Sequence, residues 1–326
     1  MSRPRPATIR DVAALAGVSV GTASKALNGR GSLRAQTVAR VRQAAEQLDF
    51  RPNQAARDLH GDRTYTVGMI TTDTIGRFSI PLLIGAEDIL GAGQVSVLLC
   101  DARDDPIRER HHLRVLLGRR VDGIIVTGRR AGTRAPIGTN LPVPVVYAFI
   151  SSTDSADCSV VPDETGGIRL AADHLRHAGR SRLVHVTGPE HHHSARVRAS
   201  ALAGDLVAEP LFGEWSEAWG RRAAGLLLAR GVDFDGVIGG NDQIARGVAE
   251  TLREAGRDVP GDVAVTGFDN WDVIAEASRP SLTSIDMDLD GLGRAAAGLL
   301  LAAIDGDPRP GQHRHPARLV IRDSTL

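Results

Sequence analysis

The sequence predicts two architectures in series: an N-terminal all-α headpiece of helix-turn-helix type, then an α/β body of two lobes built on doubly wound parallel sheets. Three observations predict this. Over the first fifty residues, apolar side chains recur at helical spacing between short capping and glycine signals. From Thr66 onward, apolar runs of strand length alternate with amphipathic helical stretches. The charge also divides: residues 1–63 carry 11 Lys and Arg against 5 Asp and Glu, while the whole chain has a formal net charge of +0. A basic head on an acidic body is the distribution expected when only the head meets a polyanion.

A chain of 326 residues is longer than one core usually holds, and 42% hydrophobic composition is ample for globular packing. No apolar run of about 18 residues and no charged-then-apolar leader occurs, so neither membrane insertion nor export is expected. Cys100 and Cys158 lie in apolar stretches without metal-like spacing, which suits a reduced cytoplasmic protein.

In the head, Thr8 reads as a helix cap with Asp11 in the acidic first turn. Ile9, Val12, Ala13 and Leu15-Ala16 supply the apolar stripe, and Gly17 ends the helix where a left-handed residue costs little. Ser19 caps a second helix whose inward face is Ala23, Ala26 and Leu27 and which stops at Asn28-Gly29. Two helices joined by so tight a turn form a helix-turn-helix, whose second helix enters the major groove by its N-terminal end. Val20, Gly21, Thr22, Ser24 and Lys25 point away from the apolar face, and Lys25 is the only lysine in the chain. Val20 and Gly21 suit contact with thymine methyls and close backbone approach, with Lys25 reaching a guanine or a phosphate. A third helix, about Gln36 to Leu48, turns Val38, Val41, Ala44, Ala45 and Leu48 inward and Arg40 and Arg42 outward. Pro52 then breaks the chain, and Asn53 to Leu59 is a short run of helix formers with little apolar surface. Such a segment seldom repays helix nucleation by itself, so it is expected to form on DNA, beside its twin from a second subunit.

Thr8-Ile9-Arg10-Asp11-Val12-Ala13, Ala16-Gly17-Val18-Ser19, Thr22 with Ser24-Lys25-Ala26-Leu27-Asn28, and Arg51-Pro52-Asn53 with Ala56 and Leu59 together resemble the head and hinge of the lactose-repressor family. The resemblance implies a homodimer on palindromic double-stranded operator DNA. It places the DNA contacts on Thr8, Ser19, Val20, Gly21, Thr22, Ser24, Lys25, Asn28, Arg34, Asn53, Ala56 and Leu59. In that family paired hinge helices lie in the minor groove, and the leucine matching Leu59 wedges into a base step. Arg34 stands where the family usually has a capping serine, and Val38 where it often has a charge.

In the body, strand-length runs occur at Val67–Thr71, Val95–Cys100, Gly123–Val126, Val143–Phe149, Leu183–Val186, Gly236–Ile238 and Val263–Thr266. Helical stretches lie between them at Pro81–Gly91, Ile107–Leu117, Gly167–His177, Gly220–Arg230, Ile244–Ala255 and Leu289–Ile304. Such sheets bind ligands at the carboxyl ends of their strands. Asp163-x-x-Gly166-Gly167, His185-Val186-Thr187-Gly188-Pro189, Asn241-Asp242-Gln243, Gly267-Phe268-Asp269 and the ending around Arg318 to Ser324 are similar to the family's periplasmic-binding-protein-like sensor. The resemblance implies a helix-turn-helix domain at 1–50, a hinge at 51–63 and an effector-binding, dimerising body at 64–326. One lobe is expected at about 64–162 and 290–312, the other at about 163–289 and 313–326. The effector site it implies comprises Arg198, Trp215, Asn241 and Asp269, faced by Thr72, Asp73, Phe78 and Phe149. Arginine and aspartate suit hydroxyl pairs and tryptophan suits a ring face, so the expected effector is a carbohydrate or a derivative of one.

Phe149 and Met287 stand where sugar-binding members often place polar groups. The segment from Ser194 to Trp215 is short, which predicts a truncated or repacked helix after Pro189 and a shifted Arg198. The chain has no leucine heptad after Arg322, so the tetramer tail of one branch is not expected. His191-His192-His193 invites a metal reading, but three adjacent histidines cannot converge on one ion, and no metal or cofactor is expected. Neither a strained nucleophile turn nor a phosphate-cradling glycine loop is present, so an enzyme is not expected. Two alternatives stay open at this point: a stand-alone solute-binding protein, and a regulator whose sensor is altered or ligand-independent.

Overall fold

The computed structural model describes residues 7–27, 33–50 and 63–326, and divides into Met1–Thr64 and Tyr65–Leu326. In the first unit α1 (Ile9–Ala16), α2 (Val20–Leu27) and α3 (Ala35–Gln47) enclose a core of Val12, Ala13, Ala16, Ala23, Ala26, Val41, Ala44 and Ala45. Alanine dominates because short side chains let three eight-to-thirteen-residue helices approach closely while still excluding water. The Asp11 carboxylate reaches back to accept from the backbone N–H (2.8 Å) and the hydroxyl (2.7 Å) of Thr8. Gly17 then closes α1 at φ 62°. Leu15, expected in the apolar stripe, is instead 52% exposed. It lies two positions beyond Ala13, about 200° round the helix, and so faces away from the core.

The second unit holds two six-stranded sheets. The first contains β1 (Thr66–Thr71), β2 (Ser96–Asp101), β3 (Gly123–Thr127), β5 (Val145–Ala148), β7 (Cys158–Pro162) and β13 (Gly311–His315), in the order β13-β7-β5-β3-β1-β2. All its pairings are parallel. Alternate residues face opposite layers. Val67, Met69 and Ile125 meet α4 (Ser79–Ala92) and α10 (Leu289–Ile304). Ile70, Ile124 and Val126 meet α5 (Pro106–Gly118). The short pair β4 (Thr133–Arg134) and β6 (Ser151–Ser152) lies beside this sheet in the chain.

The second sheet contains β8 (Leu183–Thr187), β9 (Leu211–Phe212), β10 (Gly236–Gly239), β11 (Ala264–Phe268), β12 (Thr283–Asp286) and β14 (Arg318–Val320), in the order β14-β12-β11-β10-β8-β9. Only β14 runs antiparallel, because the chain returns to this sheet without an intervening helix. Leu183, Ile238 and Ile285 face α6 (Glu164–His177), while Val184, Val186 and Val265 face α8 (Glu217–Ala229) and α9 (Asp242–Glu254).

The same helix contact recurs in both lobes. A Cβ on Gly85 of α4 would sit 1.9 Å from the Asp290 carbonyl oxygen, and one on Gly220 of α8 would sit 2.2 Å from that of Ile244. Only glycine permits backbones to cross so closely.

The chain passes between the sheets three times, at Asp163, at Met287-Asp288 and at Pro316-Ala317. These passages are tied together. Asp163 donates its N–H to the His315 carbonyl (2.8 Å), and His315 Nε2 donates to Asp288 Oδ2 (2.9 Å). The carboxyl ends of both sheets are thereby held facing each other.

The predicted strand Val143–Phe149 contracts to Val145–Ala148, and β2 is a half-exposed edge rather than a buried strand. The helix after Pro189, α7 (His193–Ala201), has nine residues. Among the described residues no helix is long and apolar enough to cross a membrane.

Candidate functional site

In the head, the N-terminal turn of α2 is open to solvent. The Ser19 Oγ accepts from the N–H of Thr22 (3.1 Å), starting the helix with the apolar Ala23 and Ala26 already turned inward. That orientation leaves Val20, 43% exposed, together with exposed Gly21 and Lys25, on the opposite face, with Thr22 and Ser24 half-buried at its margin. Arg34 precedes α3 without a side-chain cap bond, in keeping with its place where a capping serine was expected. Thr8 and Ser19 engage their own helix starts. Asn28, Asn53, Ala56 and Leu59 lie outside the described residues.

In the body, α7 sets Arg198 on one wall of the cleft. Its side chain is 5% exposed, its guanidinium carbon stands 3.5 Å from the Phe268 ring centroid and 5.7 Å from that of Trp215. It donates to the Gly240 carbonyl and to Glu164 Oε1 (3.2 Å). With the short segment before Trp215, Arg198 is still anchored within the second lobe. The reason is local: nine residues suffice to carry Arg198 over Phe268, where Glu164 from the start of α6 neutralises it. Trp215 lies on Gly188, where a Cβ would come within 2.1 Å of the indole, and donates to His192 Nδ1 (2.7 Å). Asn241 spends its Oδ1 on the N–H of Ile244 (2.9 Å), capping α9.

The opposing wall follows β1. Asp73 Oδ2 accepts from the N–H groups of Phe78 (2.7 Å) and Ser79 (3.0 Å), which fixes the start of α4. Phe78 stacks on Phe149 with ring centroids 4.9 Å apart, and Thr72 is half-buried near Gly128. Between Asp73 and Phe78 the chain presents Arg77, and this arginine crosses the cleft. It donates to Asp269 Oδ2, and its guanidinium carbon lies 4.3 Å from the Trp271 ring centroid and 5.0 Å from that of Phe78. Asp269 sits at the end of β11 with φ 97°, followed by Asn270 at 49°. Non-glycine residues hold such conformations at a cost of about 1–3 kcal/mol each, typically where a side chain must be aimed.

Carboxylates crowd this end of the second sheet. Burial and the neighbouring Asp269 push Asp242 up to about 7. Burial also raises Asp269, opposed by Arg77 and Arg198. Asp242 accepts from the N–H of Trp271 (2.6 Å) and from Ser284. A cavity of about 270 Å³ opens nearby between the lobes, bordered by Phe149, Glu164, His193, Val197 and Arg314 among others.

Of the residues predicted for the effector site, Arg198, Trp215 and Asp269 gather on one wall and Phe78 with Phe149 on the other. Asp73 and Asn241 adjoin them but commit an oxygen to capping. Arg77, Glu164, His192 and Trp271 were not anticipated. Arg77 had one usable signal: it falls in the loop at the carboxyl end of the first strand, the position where such sheets place ligand groups. Among the described residues no group of three His, Cys, Asp or Glu could hold a metal ion, the His191-His192-His193 run included.

Comparison with known proteins gives a consistent picture. Residues 8–53 match the pattern of bacterial regulatory proteins of the lacI family, and residues 172–325 that of a periplasmic binding protein-like domain. The chain is 30% identical to the ribose operon repressor of Escherichia coli (strain K12), over 91% of this chain and 93% of that one. It superposes on the lac repressor dimer bound to operator and the anti-inducer ONPF with a TM-score of 0.81 at 26% identity, covering 99% of this chain and 100% of that one. It also superposes on the complex of the transcriptional regulator CelR with cellobiose, TM-score 0.65 at 27% identity, covering 98% and 99%.

Proposed function

Because the chain belongs to the lacI family of bacterial regulatory proteins, a family of DNA-binding transcription regulators rather than enzymes, we propose that it is a repressor whose hold on a palindromic operator is set by a small carbohydrate. The open N-terminal face of α2 carries the DNA half of this reading. Val20, Gly21, Thr22, Ser24 and Lys25 read base edges in the major groove, and Thr8, Ser19, Asn28 and Arg34 contact the backbone beside them. Asn53, Ala56 and Leu59 belong to a hinge, residues 51–63, that pairs with its twin in the minor groove. Two copies of the chain are needed, since two-fold symmetry matches a palindromic site.

The effector half rests on the cleft of residues 64–326. Arg198, Trp215, Asn241 and Asp269 hold the ligand from one lobe, and Thr72, Asp73, Phe78 and Phe149 close over it from the other. A change in the angle between the lobes orders or frees the hinge. By linkage, the operator then alters ligand affinity by the same factor that the ligand alters operator affinity. The place of action is the cytoplasm.

A gel-shift titration of the full chain on a candidate palindrome, with and without a panel of sugars and at two salt concentrations, tests this. A shift that weakens steeply with salt and responds to one sugar is expected. No shift at low salt would remove the DNA reading, and a shift indifferent to every small molecule would remove the sensor reading and favour a ligand-independent regulator.

A further inference from the structure

Two arginines of the cleft are already matched. Arg198 holds Glu164 within the second lobe, and Arg77 of the first lobe holds Asp269 of the second, so these four charges cancel one another. The buried atoms left without a partner there are mixed in kind. Arg198 Nε can only donate and Glu164 Oε2 can only accept. The Thr127 and Thr187 hydroxyls, at the carboxyl ends of β3 and β8, can do either.

We infer that the effector is an uncharged polyol, one hydroxyl of which enters between Arg77 and Asp269, accepting from the guanidinium and donating to the carboxylate. Arg77 is thereby a specificity-determining residue that selects against phosphorylated and acidic sugars. This rests on the sugar-sensor reading above.

The reason is the matching of donors and acceptors in a place largely shielded from water. The Arg77 and Asp269 side chains are only 17% and 9% exposed. A hydroxyl has both a proton and lone pairs, so its insertion leaves both ions partnered and the net charge of the pair unchanged. A phosphate or carboxylate offers acceptors alone. It would claim Arg77 and leave Asp269 as an unpaired charge within the field of Glu164 and Asp242, which a buried site tolerates badly. An ammonium group does the opposite: it satisfies Asp269 and repels Arg77, whose position is otherwise fixed between Phe78 and Trp271.

The test is isothermal titration of the full chain with ribose, glucose and cellobiose, with ribose 5-phosphate and gluconate, and with glucosamine. The neutral sugar that binds best is expected to do so at least tenfold more tightly than any charged one. Arg77→Gln should weaken that sugar about tenfold and shift the ratio toward glucosamine. Arg77→Lys, which keeps the charge but not the planar fork, should preserve the preference for neutral sugars. Tighter binding of the phosphate or the acid, or an unchanged neutral affinity in a folded Arg77→Gln protein, would overturn the inference while leaving a sugar sensor in place. Absence of binding by every sugar, neutral or charged, would remove the sensor reading and this inference together.

Discussion

Trp215 donates its indole N–H to Nδ1 of His192, 2.7 Å away, while Nε2 of the same ring lies 3.3 Å from a guanidinium nitrogen of Arg130 on the opposite lobe. An indole nitrogen and a guanidinium nitrogen can each only donate, and a neutral imidazole has a single bare nitrogen, so the ring accepts from only one of them. The shorter Trp215 contact takes Nδ1, which puts the hydrogen on Nε2, facing Arg130 without a hydrogen bond. A second proton on this ring would cancel the Trp215 bond. It would also set a cation beside Arg130, His191 and Arg129, with Glu214 alone opposing. Burial first, then Arg130 and His191, hold His192 below the ordinary histidine value.

Acidification is therefore expected to release Trp215. The folded state resists the proton more than an unfolded chain does, so the arrangement is kept at neutral pH and lost as pH falls through the lowered value of His192. The Trp215 Nε1–H resonance should move in one step below the usual histidine range. His192→Asn, whose Oδ1 can replace Nδ1 as acceptor, should keep the resonance in place across that range. A step that persists in His192→Asn would assign the change to another group.

Asp242 and His185 should give opposite pH dependences of stability. Asp242 is raised to about 7, so its contribution is present below its unfolded value of 3.8 and is lost as pH rises through about 7. Asp242→Asn should accordingly be more stable than the parent at pH 8, by about 2–4 kcal/mol, with the gain shrinking toward pH 4. His185 donates Nδ1–H to the Ile238 carbonyl (2.8 Å) and is lowered to about 4 by burial. Its effect runs the other way, with stability falling as pH drops from about 6.5 to about 4. Urea unfolding at several pH values reads both, and a pH-independent difference for Asp242→Asn would contradict the assignment.

Arg198→Ala should cost about 3–5 kcal/mol of folding stability, because it strands Glu164 as a buried charge without its partner. Removing both charges in Arg198→Met with Glu164→Leu should cost much less. A double variant as unstable as the two single changes added together would show that the pair contributes through contacts other than charge.

Two head residues separate base reading from hinge action. Lys25→Ala should relax base preference as well as weaken binding, whereas a loss uniform across operator variants would assign Lys25 to phosphate. Leu59, read from the sequence alone, is expected to wedge a base step, so Leu59→Ala should weaken operator binding by about 1–3 kcal/mol and leave sugar binding intact. Operator affinity unchanged in Leu59→Ala would argue against the wedge.

Where structure follows from neighbours in sequence, it was legible. The Thr8 and Ser19 helix starts, the Gly17 stop and most of the buried parallel strands declare themselves within ten residues; β7 and β12 do not. Leu15 departs from the expected stripe because apolar character alone does not show which side of a short helix faces the core. The strands β12 and β13 do not stand out because Thr283-Ser284-Ile285-Asp286 and Gly311-Gln312-His313-Arg314-His315 are largely polar, and β14 because Arg318-Leu319-Val320 is only three residues long; non-local pairing makes them strands. The same distance hid the ion pair of the cleft. Arg77 and Asp269 are 192 residues apart in the chain, and nothing local to either one names the other. Glu164 is hidden in the sequence for a similar reason, since its role depends on Arg198 in the next helix.

The central claim is that residues 1–63 form a sequence-specific reader of DNA working as a symmetric pair. Selection of bound duplexes by the full chain from a random pool, at moderate salt, tests it most directly. The account predicts enrichment of a near-palindrome with two half-sites about one helical turn apart around a flexible central step. Recovery of a pool no different from its starting composition, or of a single unpaired half-site, would contradict it.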